Sequence, residues 1–126
     1  MLVVSIPQYV QGLTNAKLDL TTTNATVLYT APASADFNAS IISSILVSED
    51  SGNADTITLT ITSGSDVFSL FKVKAVAANT SIELLTKDLI IQSGEILKAT
   101  AATANRLHIV ASVQELALHR TPQSFL

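Results

Sequence analysis

Two histidines and one short acidic stretch are the residues of this sequence best equipped for chemistry. His108 and His119 could each serve as a general base or a metal ligand, since an imidazole titrates close to neutral pH. Neither has a serine or carboxylate at a recognisable motif spacing, and no Gly-x-Ser-x-Gly elbow occurs. His108 falls on the expected outer face of a strand and His119 in the C-terminal tail. No enzyme is expected from this set. Glu49, Asp50, Asn53 and Asp55 could gather oxygen ligands around a calcium ion. The EF-hand spacing is missing, and a solvated hairpin loop has the same composition, so both readings of 49–55 stay open; no cofactor or metal is assigned.

Other chemistries are excluded by what is missing. There is no cysteine, hence neither a disulfide scaffold nor a thiolate metal site. The four glycines stand alone at 12, 52, 64 and 94, so no glycine-rich phosphate loop exists. Two tyrosines, four phenylalanines and no tryptophan give few aromatic platforms for sugars. A net charge of −3, spread along the chain, makes no nucleic-acid footprint. Asn24, Asn38 and Asn79 match the glycosylation acceptor pattern, but Met1 to Ile6 has no basic leader and Pro7 interrupts it, so no secretory signal is expected. No apolar run approaches the ~18 residues of a membrane-spanning helix.

The elements that would position any site are strands. Asp55 to Thr62 alternates acid or threonine with Ile57, Leu59 and Ile61, the period of a strand with one dry face and one wet face. Thr26–Thr30, Ala39–Ser48, Val67–Val73, Thr80–Leu85, Leu89–Ile91, Ile96–Thr100 and Leu107–Leu116 continue the rhythm, separated by short turns such as 49–54, 63–66 and 92–95. In the strand at 39–48 the register Ile41, Ser43, Ile45, Val47 predicts one apolar face, with Ile42 and Leu46 on the other. Leu107, Ile109, Ala111 and Val113 share a face opposite His108, Ser112 and Gln114. The fold expected is all-β, an antiparallel β-sandwich of about eight strands.

Three regions follow. Residues 1–24 read as an N-terminal arm and linker, 25–116 as the β-sandwich domain and 117–126 as a C-terminal tail. Charged residues make up 13% of the chain, about half the ordinary share, so serine, threonine and alanine must cover much of the surface. Assembly is one way to tolerate so little charge. The apolar residues of the two ends, Tyr9, Val10, Leu13, Leu118, Phe125 and Leu126, are the expected partner-binding positions.

Several stretches carry a family resemblance. Val27-Leu28-Tyr29-Thr30-Ala31-Pro32, Ile41-Ile42-Ser43-Ser44-Ile45-Leu46-Val47 and Thr56-Ile57-Thr58-Leu59-Thr60-Ile61 come first. Asn79-Thr80-Ser81-Ile82-Glu83-Leu84 and Ser93-Gly94-Glu95-Ile96-Leu97 follow. This order, over about residues 25–116, resembles small tailed-bacteriophage virion proteins whose sandwich is jelly-roll-like. The resemblance implies a structural protein, foremost a capsid decoration or cement protein that binds and stabilises the head shell. Its partners would be the major capsid protein or another virion protein, with further copies of itself, a homotrimer first. Made in the host cytoplasm, it would reside on the capsid surface, with neither nucleic acid nor membrane as partner. The alternative is a receptor- or glycan-binding domain of a tail fibre or adhesin.

Overall fold

The computed structural model describes residues 8–118, and side chains over 12–117. Nine strands and no helix occur among them: β1 (Gln8–Asp19), β2 (Thr26–Thr30), β3 (Phe37–Glu49), β4 (Asp55–Ser63), β5 (Asp66–Val76), β6 (Ser81–Glu83), β7 (Leu89–Gln92), β8 (Ile96–Ala101) and β9 (Leu107–Leu118). They form two antiparallel sheets. One has the order β1-β9-β3-β6 with β7 also on β3, and the other runs β2-β8-β4-β5. Reading β6 and β7 as one broken strand gives the eight-stranded double sheet of a jelly roll.

The break in that strand has a local cause. β3 carries a bulge between Ile42 and Ser44 in its ladder with β9. β7 pairs with β3 before the bulge, at Ala39–Ile42, and β6 after it, at Leu46–Ser48. In the gap the Glu83 carboxylate replaces the missing ladder: it accepts the Ile45 N–H at 2.7 Å, the Leu85 N–H at 3.2 Å and the Ser44 hydroxyl. These donors outweigh the effect of burial and hold its pKa below the usual value.

The same bulge corrects the expected faces of β3. An extra residue inverts the side-chain alternation, so Ser40 and Ile42 point inward before it, and Ile45, Val47 and Glu49 after it. Ile42 therefore joins Ile45 and Val47 in the core, while Leu46 faces out as expected. The core fills from both sheets. Ile57 and Leu59 of β4, Leu97 and Ala99 of β8, and Leu107, Ile109, Ala111 and Val113 of β9 are all buried. Ile61, nearer the sandwich mouth, is half-buried against them.

Where an arm and linker were expected over 1–24, residues 8–19 form a sheet strand. β1 pairs with β9 from Gln8↔Leu118 to Asp19↔His108 and shifts register once, between Val10 and Gly12. Ala16 and Leu18 pack on the core, and Leu20 behind them is buried. The described positions in register with Leu18 before it, Ala16, Thr14 and Gly12, are small or polar, which hides the strand's period. β9 likewise runs two residues into the expected tail. At the opposite edge, β5 shifts register twice against β4, and Val73 takes a φ of 53°, rare for a β-branched residue. Its N–H leaves the ladder and donates to Thr58 Oγ1 at 3.0 Å. Such bulges blunt an edge against strand addition.

Candidate interaction surfaces

The acidic stretch does not converge on one point. Glu49 ends β3 with its side chain buried, accepting N–H groups of Ser51 at 2.7 Å, Asn79 at 2.9 Å and Gly52 at 3.2 Å, and the Ser51 hydroxyl. Burial pushes its pKa up, but these donors prevail and bring it down to about 2. Gly52, at φ 83°, lets the turn fold back over that carboxylate. Asp55 is buried too and accepts the Thr103 N–H at 3.1 Å. Asp50 faces outward, 3.7 Å from His108 Nδ1, while Asp19 lies 3.3 Å from His108 Nε2. Among the described residues no group of three or more His, Asp or Glu side chains is placed to hold a metal ion. The stretch braces a turn against the 77–80 loop, which also accepts the Glu49 N–H through Thr80 O at 2.9 Å.

A second polar group lies between the sheets. The Tyr29 hydroxyl donates to Glu115 Oε2 at 2.5 Å and stands 2.6 Å from Ser40 Oγ, which is left to donate to the phenol oxygen. Burial, then the Glu115 carboxylate, raises the Tyr29 pKa to about 12. The phenol thus stays protonated and ties β2 of one sheet to β3 and β9 of the other. Ser69 and Lys72 have a Ser-x-x-Lys spacing, and both are exposed on the edge strand β5. That spacing stacks two side chains on a helix, and a strand offers no such stacking.

One open cleft of about 250 Å³ lies between β5 and the link from β6 to β7. Leu70, Phe71, Leu84, Leu85 and Leu89 line it, with Thr86, Lys87 and Asp88. No histidine lines it, and its chemistry is that of a shallow apolar seat.

The outer face of the five-stranded sheet is the more distinctive surface. Leu46 and Val110 are cross-strand partners on its two central strands and are 42% and 37% exposed. Leu13 on β1 is 77% exposed and Ile90 on β7 60%. Serines fill the space between, Ser44 opposite Ser112 and Ser48 opposite His108. Of the expected partner-binding residues, Leu13 stands on this face. Tyr9 and Val10 pair with Ala117 and Leu116, and Leu118 with Gln8; nothing follows for their side chains. Phe125, Leu126 and His119 lie outside the described residues. Val110 and Ile90 were missed although alternation with buried Ile109 and Ile91 marks both as outward.

No family model and no curated protein matches the sequence. Among solved structures, two of a pentameric capsid protein isolated from metagenomic phage sequences overlap 84% of this chain at 17% identity and a TM-score of 0.49. The chain spans only 61% and 64% of their lengths. Eiger TNF from S. frugiperda overlaps 90% of this chain and 99% of its own at 11% identity and a TM-score of 0.38. Overlaps of this depth do not decide function.

Proposed function

We propose that this protein is a non-enzymatic structural component of a tailed-bacteriophage virion, of the decoration or cement type, which works on the head shell as an assembly of copies. The observation that carries this reading is the pair Leu46 and Val110, outward on the two central strands of a sheet, in a chain with 13% charged residues. Lone exposed aliphatics are ordinary at sheet edges. Adjoining exposed aliphatics rimmed by polar residues mark a surface that is covered in use, and Leu46 and Val110 adjoin as cross-strand partners. The sequence resemblance over 25–116 names the kind of assembly and implies a homo-oligomer with three copies. Capsid protein or another virion protein is the further partner, and the capsid surface the location.

The fibre or adhesin alternative gains no observation of its own. Among residues with described side chains, Phe68, at 55% exposure, is the one largely exposed aromatic, while Tyr29 and Phe37 are buried. A cryo-EM map of the assembled particle tests the proposal. Copies at regular sites on the head shell are expected; copies confined to a fibre tip, or none on the particle, overturn it.

A further inference from the structure

The outer face of the five-stranded sheet has a property that its apolar content alone does not give. Its residues lie in rows across the strands, fixed by the pairing register. One row reads Lys17, Val110, Leu46, Glu83 from β1 to β6. Another reads Leu13, Gln114, Ile41, Ile90 from β1 to β7. The first has a cation at one edge, an anion at the other and two aliphatics between; the second has an aliphatic at each edge.

We infer that this face seats a second copy of the chain about a two-fold axis lying along the strands between β9 and β3. The inference rests on reading the protein as a subunit of an assembly, and it names the partner of that surface. Such an axis exchanges the two edges of every row. Lys17 then meets the partner's Glu83, Val110 meets the partner's Leu46, and Leu13 meets the partner's Ile90. In the row beyond, Asp19 meets the partner's Ser81 and His108 the partner's Ser48, so no like charges are opposed. One patch serves both partners, as an isologous contact requires. Glu83 is ready for the role: its carboxylate is fixed by Ser44, Ile45 and Leu85, and only the Ser44 hydroxyl occupies Oε1.

A two-fold contact also constrains the count. The assembly is a dimer if this face acts alone, or a hexamer if it joins two of the trimers that the resemblance implies.

Paired cysteines test the geometry without background, because the chain has none of its own. In full-length Leu13→Cys/Ile90→Cys, the two positions of one copy are three strand spacings apart, about 14 Å. Facing sheets pack about 10 Å apart, beyond the Cα separation of about 7 Å that a disulfide allows, so a bis-maleimide with a reach of about 8 Å joins the thiols, too short to close inside one chain. Cross-linking is expected to give a covalent dimer and nothing larger on denaturing gels. A ladder of higher multimers would mean a head-to-tail contact, and monomer alone would mean that the shell or the chain's own ends cover the face; either overturns the inference. As a second arm, Lys17→Glu, an exposed change that leaves the core alone, is expected to weaken self-association about tenfold or more, and no change counts against the Lys17–Glu83 pairing. Occupancy on particles separates the two readings: monomers that still decorate the shell defeat the two-fold contact only, whereas dimers absent from particles defeat the virion role only.

Discussion

The two outer faces of the sandwich are built from the same kind of strand and dressed differently. On the four-stranded sheet, β4 presents Thr56, Thr58, Thr60 and Thr62, with Thr100 opposite Thr58 and Lys98 opposite Thr60. Its exposed aliphatics, Val27, Val67 and Val73, sit on the edge strands β2 and β5. On the five-stranded sheet exposed aliphatics occur at the edges, Leu13 and Ile90, and also on the central strands, where Leu46 and Val110 stand among Ser44, Ser48 and Ser112. Threonine satisfies strand preference with its branched Cβ while its hydroxyl stays in water. Leucine at the middle of a face has no such compromise. One face is therefore suited to solvent and the other to a partner, and folding stability and association should respond to different substitutions.

The largest effect expected is on the fold itself. Leu59→Asp places an unpaired charge at a fully buried position, at a cost of several kcal/mol against a whole-domain stability of about 5–15. Circular dichroism should show an unfolded chain at 25 °C. Thr58→Asp, one residue along on the threonine face, should melt close to wild type; equal losses would break the distinction between inner and outer faces.

Glu49→Gln comes next. It removes the charge that three N–H groups and a hydroxyl converge on, so the melting temperature should fall by several degrees. The pH dependence has a definite sign. A carboxyl held at about 2 when folded, against 4.5 unfolded, contributes stability that is complete above about 4.5 and lost as pH falls through about 2. The variant should show a flatter stability profile in that window, measured by denaturant titration across pH. An unchanged acid limb would place the acid sensitivity elsewhere.

Tyr29→Phe should cost less, about 1–2 kcal/mol, for the loss of one hydroxyl between Ser40 and Glu115. Here the folded pKa is raised, so the stabilisation is complete below about 10 and lost as pH rises through about 12. The alkaline fall in stability should shrink in the variant. Because the tyrosine lies between the sheets, self-association should be unchanged; a shift would show that the outer face depends on how the sheets are tied.

The sandwich was legible because its core strands alternate cleanly. Thr56–Thr62 and Leu107–Val113 show their buried faces in the bare sequence, and β2 was located to the residue. The misread parts share a physical cause, since alternation fails where a bulge adds a residue or where the inward positions are small. The bulge at Ile42/Ser44 sent Ile42 to the wrong face, and the weakly apolar inner side of β1 made a sheet strand look like an arm. The assembly face was half legible. Leu46 was seen as outward and Leu13 as partner-binding. The rows that give the face its self-complementary charges are set by pairing between strands far apart in sequence, which no local pattern reports.

The claim that association belongs to one outer face is tested most directly by sedimentation velocity on three folded proteins: wild type, Leu46→Asp/Val110→Asp, and Thr60→Asp. Each aliphatic completes its burial only against the partner and contributes about 1 kcal/mol there, so the double variant should associate roughly a hundredfold or more weakly. It should sediment as the 13.3 kDa monomer at concentrations where wild type and Thr60→Asp sediment together as a larger species. A Leu46→Asp/Val110→Asp protein that remains assembled, or a Thr60→Asp protein that dissociates, would contradict the account.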